Sequence, residues 1–215
     1  IAHEVRNPLG AISHAAQLLE ESESLAEADR RLAAIIQNHS IRVNRIIENV
    51  LQLSRRQAAS PERRDLGEWL EKFILQYQQT HGKPVSIELQ LPDQPLSIYI
   101  DFSQFEQVLG NLCANGIRYS EKEIGEAKIT LRVYIHEILS IPCLEVIDYG
   151  KGISDKDKQN IFEPFFTTDT KGTGLGLYIA RELCLANQAG LDYKRTSDGR
   201  SCFQISFPHP NKMVM

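Results

Sequence analysis

Long apolar runs are missing from this chain. The longest, Leu32 to Ile36, falls far short of the roughly 20 residues that a bilayer requires, so no segment is expected to span a membrane. No basic stretch followed by an apolar core opens the sequence, which begins at Ile1 without an initiator Met. It therefore reads as part of a longer protein whose targeting signals lie elsewhere. Cysteine is scarce as well: Cys113, Cys143, Cys184 and Cys202 lie far apart, with no C-x-x-C pair and no histidines at zinc spacing. That excludes a structural zinc site and points to reduced thiols. Basic excess is also lacking, since 24 Lys and Arg face 28 Asp and Glu for a net charge of −4. Such a balance does not provide the cationic footprint that binding to nucleic acid needs. Internal repeats and low-complexity stretches are absent.

What is present is 215 residues, 42% of them hydrophobic, a globular composition sufficient for one or two small domains. Residues 1–24 and 29–58 read as two helices separated by the polar break Ser22 to Glu27. In the second, Leu32, Ile36, His39, Val43, Ile46, Val50 and Leu53 follow a heptad spacing; Ile1, Val5, Leu9, Ile12, Ala16 and Leu19 do nearly so in the first. Ile35, Ile47 and Leu51 widen the apolar face beyond what one antiparallel partner covers. The expected solution is a homodimer whose two hairpins form a four-helix bundle. Arg55, Arg56, Arg63 and Arg64 around Pro61 read as a solvated linker.

From Asp65 the pattern changes. Leu66, Leu70, Phe73, Ile74 and Tyr77 predict an amphipathic helix, and strands are expected at Ile87 to Leu91, Ile98 to Ile100, Ile129 to Ile135 and Leu144 to Ile147. Helices are expected at 102–119 and 175–188, and a closing hairpin turns at Ser197-Asp198-Gly199-Arg200. The expected fold is an α+β two-domain chain: a hairpin over 1–58, a linker over 59–64, and an α/β sandwich over 65–210 with helices on one face of a mixed sheet.

In the helix at 102–119, Asn111, Asn115 and Arg118 share one ridge. Asp148-Tyr149-Gly150-Lys151-Gly152-Ile153 follows a strand, and Gly172-Thr173-Gly174-Leu175-Gly176-Leu177 opens a helix. Each feature alone is an ordinary solvated face or turn; the three in this order fit one nucleotide. Ionised Asp148 accepts hydrogen bonds only, which suits the exocyclic amine of adenine and repels the carbonyl of guanine. Gly150 and Gly152 allow close backbone approach. Gly174 and Gly176 leave N–H groups at a helix N-terminus, where phosphate is attracted. The Asn115 oxygen is a hard ligand suited to Mg2+, and Arg118 or Lys171 can balance the remaining charge.

These motifs resemble those of bacterial two-component sensor histidine kinases. The likeness rests on His3-Glu4-Val5-Arg6-Asn7-Pro8-Leu9, on Asn111 to Ser120, on Asp148 to Gly152, on Phe162-Glu163-Pro164-Phe165-Phe166 and on Gly172 to Gly176, all in family order. Within the family, the first box and the Phe165-Phe166-Thr167-Thr168 stretch resemble the nitrogen-regulatory subgroup. Asn49 to Arg56 and Lys171 to Tyr178 are similar to the sensor kinases of type IV pilus expression. The resemblance implies a dimerisation and phosphotransfer hairpin followed by an ATP-binding domain of the Bergerat type, shared with Hsp90 and gyrase. It assigns His3 as phosphoacceptor, Glu4 as the group that orients or deprotonates its ring, and Asn7 as the residue that orients water for dephosphorylating the partner.

Nucleotide would be held by Asn111, Asn115, Arg118, Tyr119, Asp148, Gly150, Gly152, Ile153, Phe162, Lys171, Gly172, Thr173, Gly174, Leu175 and Gly176, with Mg2+ on Asn115. The implied activity is ATP-dependent autophosphorylation on His3, phosphotransfer to an Asp of a response regulator receiver domain, and phosphatase action on that regulator. The implied setting is a cytoplasmic module of an inner-membrane sensor, touching the membrane only through segments upstream of Ile1 and binding no nucleic acid. Residues 153–171 would form a lid, with Phe162 and Phe165 either pinning it or packing in the core. A non-catalytic dimeric scaffold and a chaperone- or topoisomerase-type ATPase are the competing classes. Gly116, mid-helix, and Tyr149 depart from the family pattern without touching a site role. His39 is expected partly buried on the seam; His14, His81, His136 and His209 are expected at the surface.

Overall fold

The computed structural model describes residues 2–22, 25–54, 59–169 and 172–208; the side chains of residues 2–6, 45 and 48–54 fall outside the description. Expectations for the side chains of His3 and Glu4, and for Lys171, Arg55, Arg56 and His209, therefore concern groups outside the described residues. The chain divides into two compact units, Ile1–Gln57 with Glu163–Leu175, and Ala58–Phe162 with Gly176–Met215.

The first unit is built on a hairpin of α1 (Ala2–Glu20) and α2 (Glu27–Ser54). Pro8 lies inside α1, which continues through it. Glu27 and Asp29 place negative charge in the first turn of α2, the end that favours it, and the Arg30 guanidinium donates to the Ser22 carbonyl at 3.0 Å. The buried residues of the hairpin are small: Ala16 on α1, and Ala33 and Ser40 on α2, which lets the two backbones approach closely. On α2 the buried or half-buried positions Ala33, Gln37, Ser40, Asn44 and Ile47 form a stripe one residue out of phase with the expected seam. Within one chain Leu32, Ile36 and Val43 stay exposed, Leu32 by 57%. His39, expected partly buried, is exposed as well, whereas Ile46 of the seam is half-buried.

The second unit opens with β1 (Glu62–Asp65), which pairs antiparallel with β3 (Ser97–Ile100). This corrects the linker expectation at its end. Glu62, Arg63 and Arg64 keep exposed side chains while their backbone pairs with β3, so charge and strand pairing do not compete. Asp65 then caps α3 (Leu66–Thr80), accepting from Glu68 N at 2.9 Å. The main sheet has the order β2-β4-β5-β7-β6, from β2 (Ser86–Gln90), β4 (Lys128–Ile135), β5 (Pro142–Asp148), β6 (Gly190–Arg195) and β7 (Ser201–Ser206). Only β2 and β4 run parallel.

Two helices pack on this sheet, α4 (Phe102–Ile124) on β4 and β5, and α5 (Gly176–Ala186) on β6. Asp101 caps α4, accepting from Ser103 N and Gln104 N, and Gly125 ends it in the left-handed conformation. Leu66, Leu70, Phe105, Leu109 and Leu112 join Ile129, Leu131, Leu144 and Ile205 among the fully buried core residues. The other sheet face is closed by long side chains. Glu145, 1% exposed, accepts from Arg132, from Tyr134 Oη at 3.0 Å and from Lys194 Nζ at 2.6 Å. All four cysteines are buried free thiols. Among the described residues no helix is long and apolar enough to cross a membrane.

Candidate functional site

β5 ends on Asp148 and α4 runs alongside it, so the strand terminus and the helix ridge form one locality. Asp148 is 3% exposed, and its Oδ1 accepts from Gly150 N at 2.9 Å. Burial raises its pKa above the usual carboxylate range, and hydrogen bonds from Ser201 and Gly150 offset only part of that cost. An acceptor held dry at the end of a strand can recognise a ligand donor with little competition from water.

Two glycines let neighbouring segments pack closely around Asp148. A Cβ on Gly150 would stand 2.8 Å from Tyr119 Cβ and 2.9 Å from Asp148 Oδ1. A Cβ on Gly116 would stand 3.0 Å from Ile129 Cγ2 and 3.3 Å from Asp148 Cβ. Gly116, expected to touch no site role, thus packs directly against Asp148, since an added Cβ there would meet the Asp148 side chain. Tyr149 is also engaged: its N–H donates to Ser120 Oγ at 2.9 Å and its hydroxyl lies 3.3 Å from Thr130 Oγ1. The Lys128 ammonium and the Arg200 guanidinium each lie 5.1 Å from the centre of its ring.

Along α4, Asn111 Nδ2 donates to the Gly176 carbonyl at 3.2 Å, tying the ridge to the first residue of α5. Asn115 Oδ1 accepts from Arg118 Nη2 at 3.2 Å, and the Arg118 guanidinium lies over the Tyr119 ring. Asn115 as a residue is half-exposed. One neutral carboxamide oxygen fits Mg2+, which keeps waters and takes further ligands from phosphates.

Gly152 has φ +75, and Ile153 N donates to Tyr193 Oη at 2.9 Å. Phe162 is half-buried, edge-on to Phe203, with the Arg181 guanidinium over its ring, which is core packing. Ser201, Tyr193 and Arg195 were not legible as site residues. Ser201 faces Asp148 only through the β5–β7 register, which exists once the strands are paired.

Residues Glu163–Leu175 belong to the first unit. There Gly174, at φ +72, sits so close to the Phe165 carbonyl that a Cβ would collide with it. Phe165 itself has φ +67 and is 60% exposed, so it is no core residue. Thr167 Oγ1 accepts from Asp169 N at 3.1 Å, and Leu175 N donates to Thr173 Oγ1 at 3.4 Å.

A buried acceptor at a strand end, flanking glycines and an asparagine ridge thus lie together on an α/β sandwich, on a chain that also carries a helical hairpin. Residues 100–211 match the family model of histidine kinase-, DNA gyrase B-, and HSP90-like ATPases, and the chain belongs to that family. Residues 1–59 match the His Kinase A (phospho-acceptor) domain. Sensor protein kinase PilS of Pseudomonas aeruginosa is 51% identical over 213 residues, covering 99% of this chain and 40% of that protein. Sporulation kinase D of Bacillus subtilis is 33% identical over 186 residues, covering 86% of this chain and 36% of that one. The chain thus spans well under half the length of either relative. The solved structure of histidine kinase ThkA in complex with response regulator protein TrrA shares the fold, with a TM-score of 0.68 at 24% identity over 99% of this chain and 61% of that one.

Proposed function

We propose that the chain is the catalytic region of a sensor histidine kinase that phosphorylates itself on His3 with ATP. The observation that carries this reading is the dry Asp148 acceptor beside the Asn111–Asn115 ridge, on a chain whose residues 1–59 match a phospho-acceptor domain. Asp148 accepts from the adenine amine, the backbone of the Gly150 to Gly152 loop borders the base, and Asn111, Asn115, Arg118 and Tyr119 line the route toward the phosphates. Lys171 and the stretch Gly172 to Gly176 supply charge and backbone donors. Mg2+ held through Asn115 would neutralise phosphate charge when bound.

A neutral imidazole nitrogen of His3 attacks the γ-phosphorus in line. The N–P bond forms as the bond to the bridging oxygen breaks, ADP leaves with that electron pair, and Glu4 takes the proton from the other ring nitrogen. The phosphoryl group then passes to an Asp carboxylate on a response regulator, and Asn7, one turn from His3, orients water for its later hydrolysis. The hairpin pairs with a second copy through the exposed seam, and the domains divide as 1–58, 59–64 and 65–210, the linker running into β1. We place the module on the cytoplasmic side of an inner-membrane sensor, where ATP and reduced thiols coexist.

Incubation with ATP and Mg2+ tests the reading. An acid-labile, base-stable phosphoprotein that disappears in His3→Gln is expected. Nucleotide binding without label would indicate a scaffold, and ATP hydrolysis without label a chaperone- or topoisomerase-type ATPase. Asn7→Ala should keep the label but lose phosphatase activity on a phosphorylated regulator.

A further inference from the structure

The first glycine loop is held from outside by one strand. Ile153 N donates to Tyr193 Oη at 2.9 Å, and Arg195 Nη2 donates to the Lys151 carbonyl at 2.9 Å while its Nη1 donates to the Gly199 carbonyl at 2.9 Å. Between these contacts lies Gly152, at φ +75, where a Cβ would stand 2.7 Å from Arg195 Nη2 and 2.9 Å from Tyr193 Oη. Residues 151–153 are therefore clasped at the Lys151 carbonyl and the Ile153 N–H, on either side of Gly152, by two side chains of β6. The Tyr193 ring is in turn 5.3 Å from that of Phe203, edge-on, and Phe203 meets Phe162 at 6.4 Å, itself capped by Arg181 of α5. One tyrosine thus joins the loop that follows Asp148 to Phe162.

We propose that Tyr193 and Arg195 are positioning residues for nucleotide recognition, holding the loop after Asp148 in its binding shape and linking it through Phe203 to Phe162. This rests on the nucleotide reading of the Asp148 locality. Neither side chain need touch the ligand: an amide N–H and a carbonyl in a turned loop have several alternative partners, water among them, and the clasp removes those alternatives before ligand arrives. Tyr193→Phe is the clean probe, because it keeps the ring against Phe203 and deletes only the acceptor for Ile153 N.

Calorimetric titration of the chain with ADP tests the proposal, using Tyr193→Phe, Arg195→Ala, the double variant and Asp148→Ala, with thermal unfolding of each protein without nucleotide. Loss of a single hydrogen bond to the loop should weaken ADP binding about three- to tenfold in Tyr193→Phe, with an unfolding midpoint close to the parent's. Arg195→Ala should weaken it similarly, and the double variant should fall short of the product of the two losses, since both hold one loop. Tyr193→Phe that binds ADP like the parent, while Asp148→Ala does not bind, overturns the clasp and leaves the pocket standing. So does a lowered unfolding midpoint with unchanged affinity, which marks a purely structural role. Parent-like binding by Asp148→Ala overturns the pocket reading and the clasp with it.

Discussion

At the scale of single residues, the decisive feature is a carboxylate kept where carboxylates are costly. Because burial raises the pKa of Asp148, the folded chain binds a proton there more readily than the unfolded chain. The penalty is therefore complete above the folded pKa and disappears below the unfolded one, near about 3.9. Asp148→Asn, which retains an acceptor for Gly150 N, should be more stable than the parent at neutral pH while losing preference for adenine over guanine nucleotides. Its stability advantage should shrink as pH falls, and urea denaturation between pH 4 and 8 measures it. Gly116 gives a prediction of the opposite kind. On an isolated helix Gly→Ala gains about 1 kcal/mol, but here the new methyl would press on Ile129 Cγ2 at 3.0 Å. Overpacking of this sort costs about 1–3 kcal/mol, so Gly116→Ala should show no gain in denaturation midpoint. A gain of about 1 kcal/mol would mean that the crossing of α4 over β5 is looser than described.

Among the elements, α4 carries the ridge and its start is fastened on several sides. Asp101 accepts from Ser103 N, Gln104 N and Ser103 Oγ, its second oxygen accepts from Ser60 N at 2.9 Å, and its own N–H donates to Asn187 Oδ1 at 2.8 Å. Burial alone would raise the pKa of Asp101, but these hydrogen bonds outweigh it and hold the group below the usual range. Its contribution to stability is thus present above the unfolded pKa and lost as pH falls through the folded one. Asp101→Ala should cost about 1–2 kcal/mol at neutral pH, read as a lowered denaturation midpoint. Asp101→Asn should recover part of that, and the difference from the parent should narrow in acid. A parent-like midpoint in the alanine variant would remove the cap from the account of how α4 is held.

For the whole molecule, the hairpin leaves several large apolar side chains exposed. Leu32, Ile35, Ile36 and Val43 are exposed along α2, as are Ile12 and Leu19 along α1. A monomer has no use for such a stripe, whereas a second hairpin packed on it would bury it. Ile36→Glu with Val43→Glu should therefore yield a monomer or an unfolded hairpin, since an unpaired buried charge costs several kcal/mol. Light scattering with circular dichroism distinguishes these from the parent, and a dimer of undiminished stability would place the interface elsewhere. The catalytic sheet solves its own exposure problem differently, using the Arg132, Tyr134 and Lys194 side chains over Glu145 instead of a third layer.

Periodicity and end signals determined the elements. The 3.6-residue pattern of Leu66, Leu70 and Phe73, the alternation of Ile129, Leu131 and Val133 and the turn at Gly199 each require only local chemistry. The ordered run of His, Asn, Asp and glycine motifs likewise determined which residues carry the candidate chemistry. Tertiary structure alone decided the rest, because it depends on pairing between distant segments. The charged stretch before Asp65 became a strand only by finding β3. Small residues turned α2 toward α1 one position away from its heptad seam, because close helix approach rewards Ala and Ser over Leu. Ser201, Tyr193 and Arg195 reached the site through the register of β5, β7 and β6, and no local pattern records which strands will be neighbours.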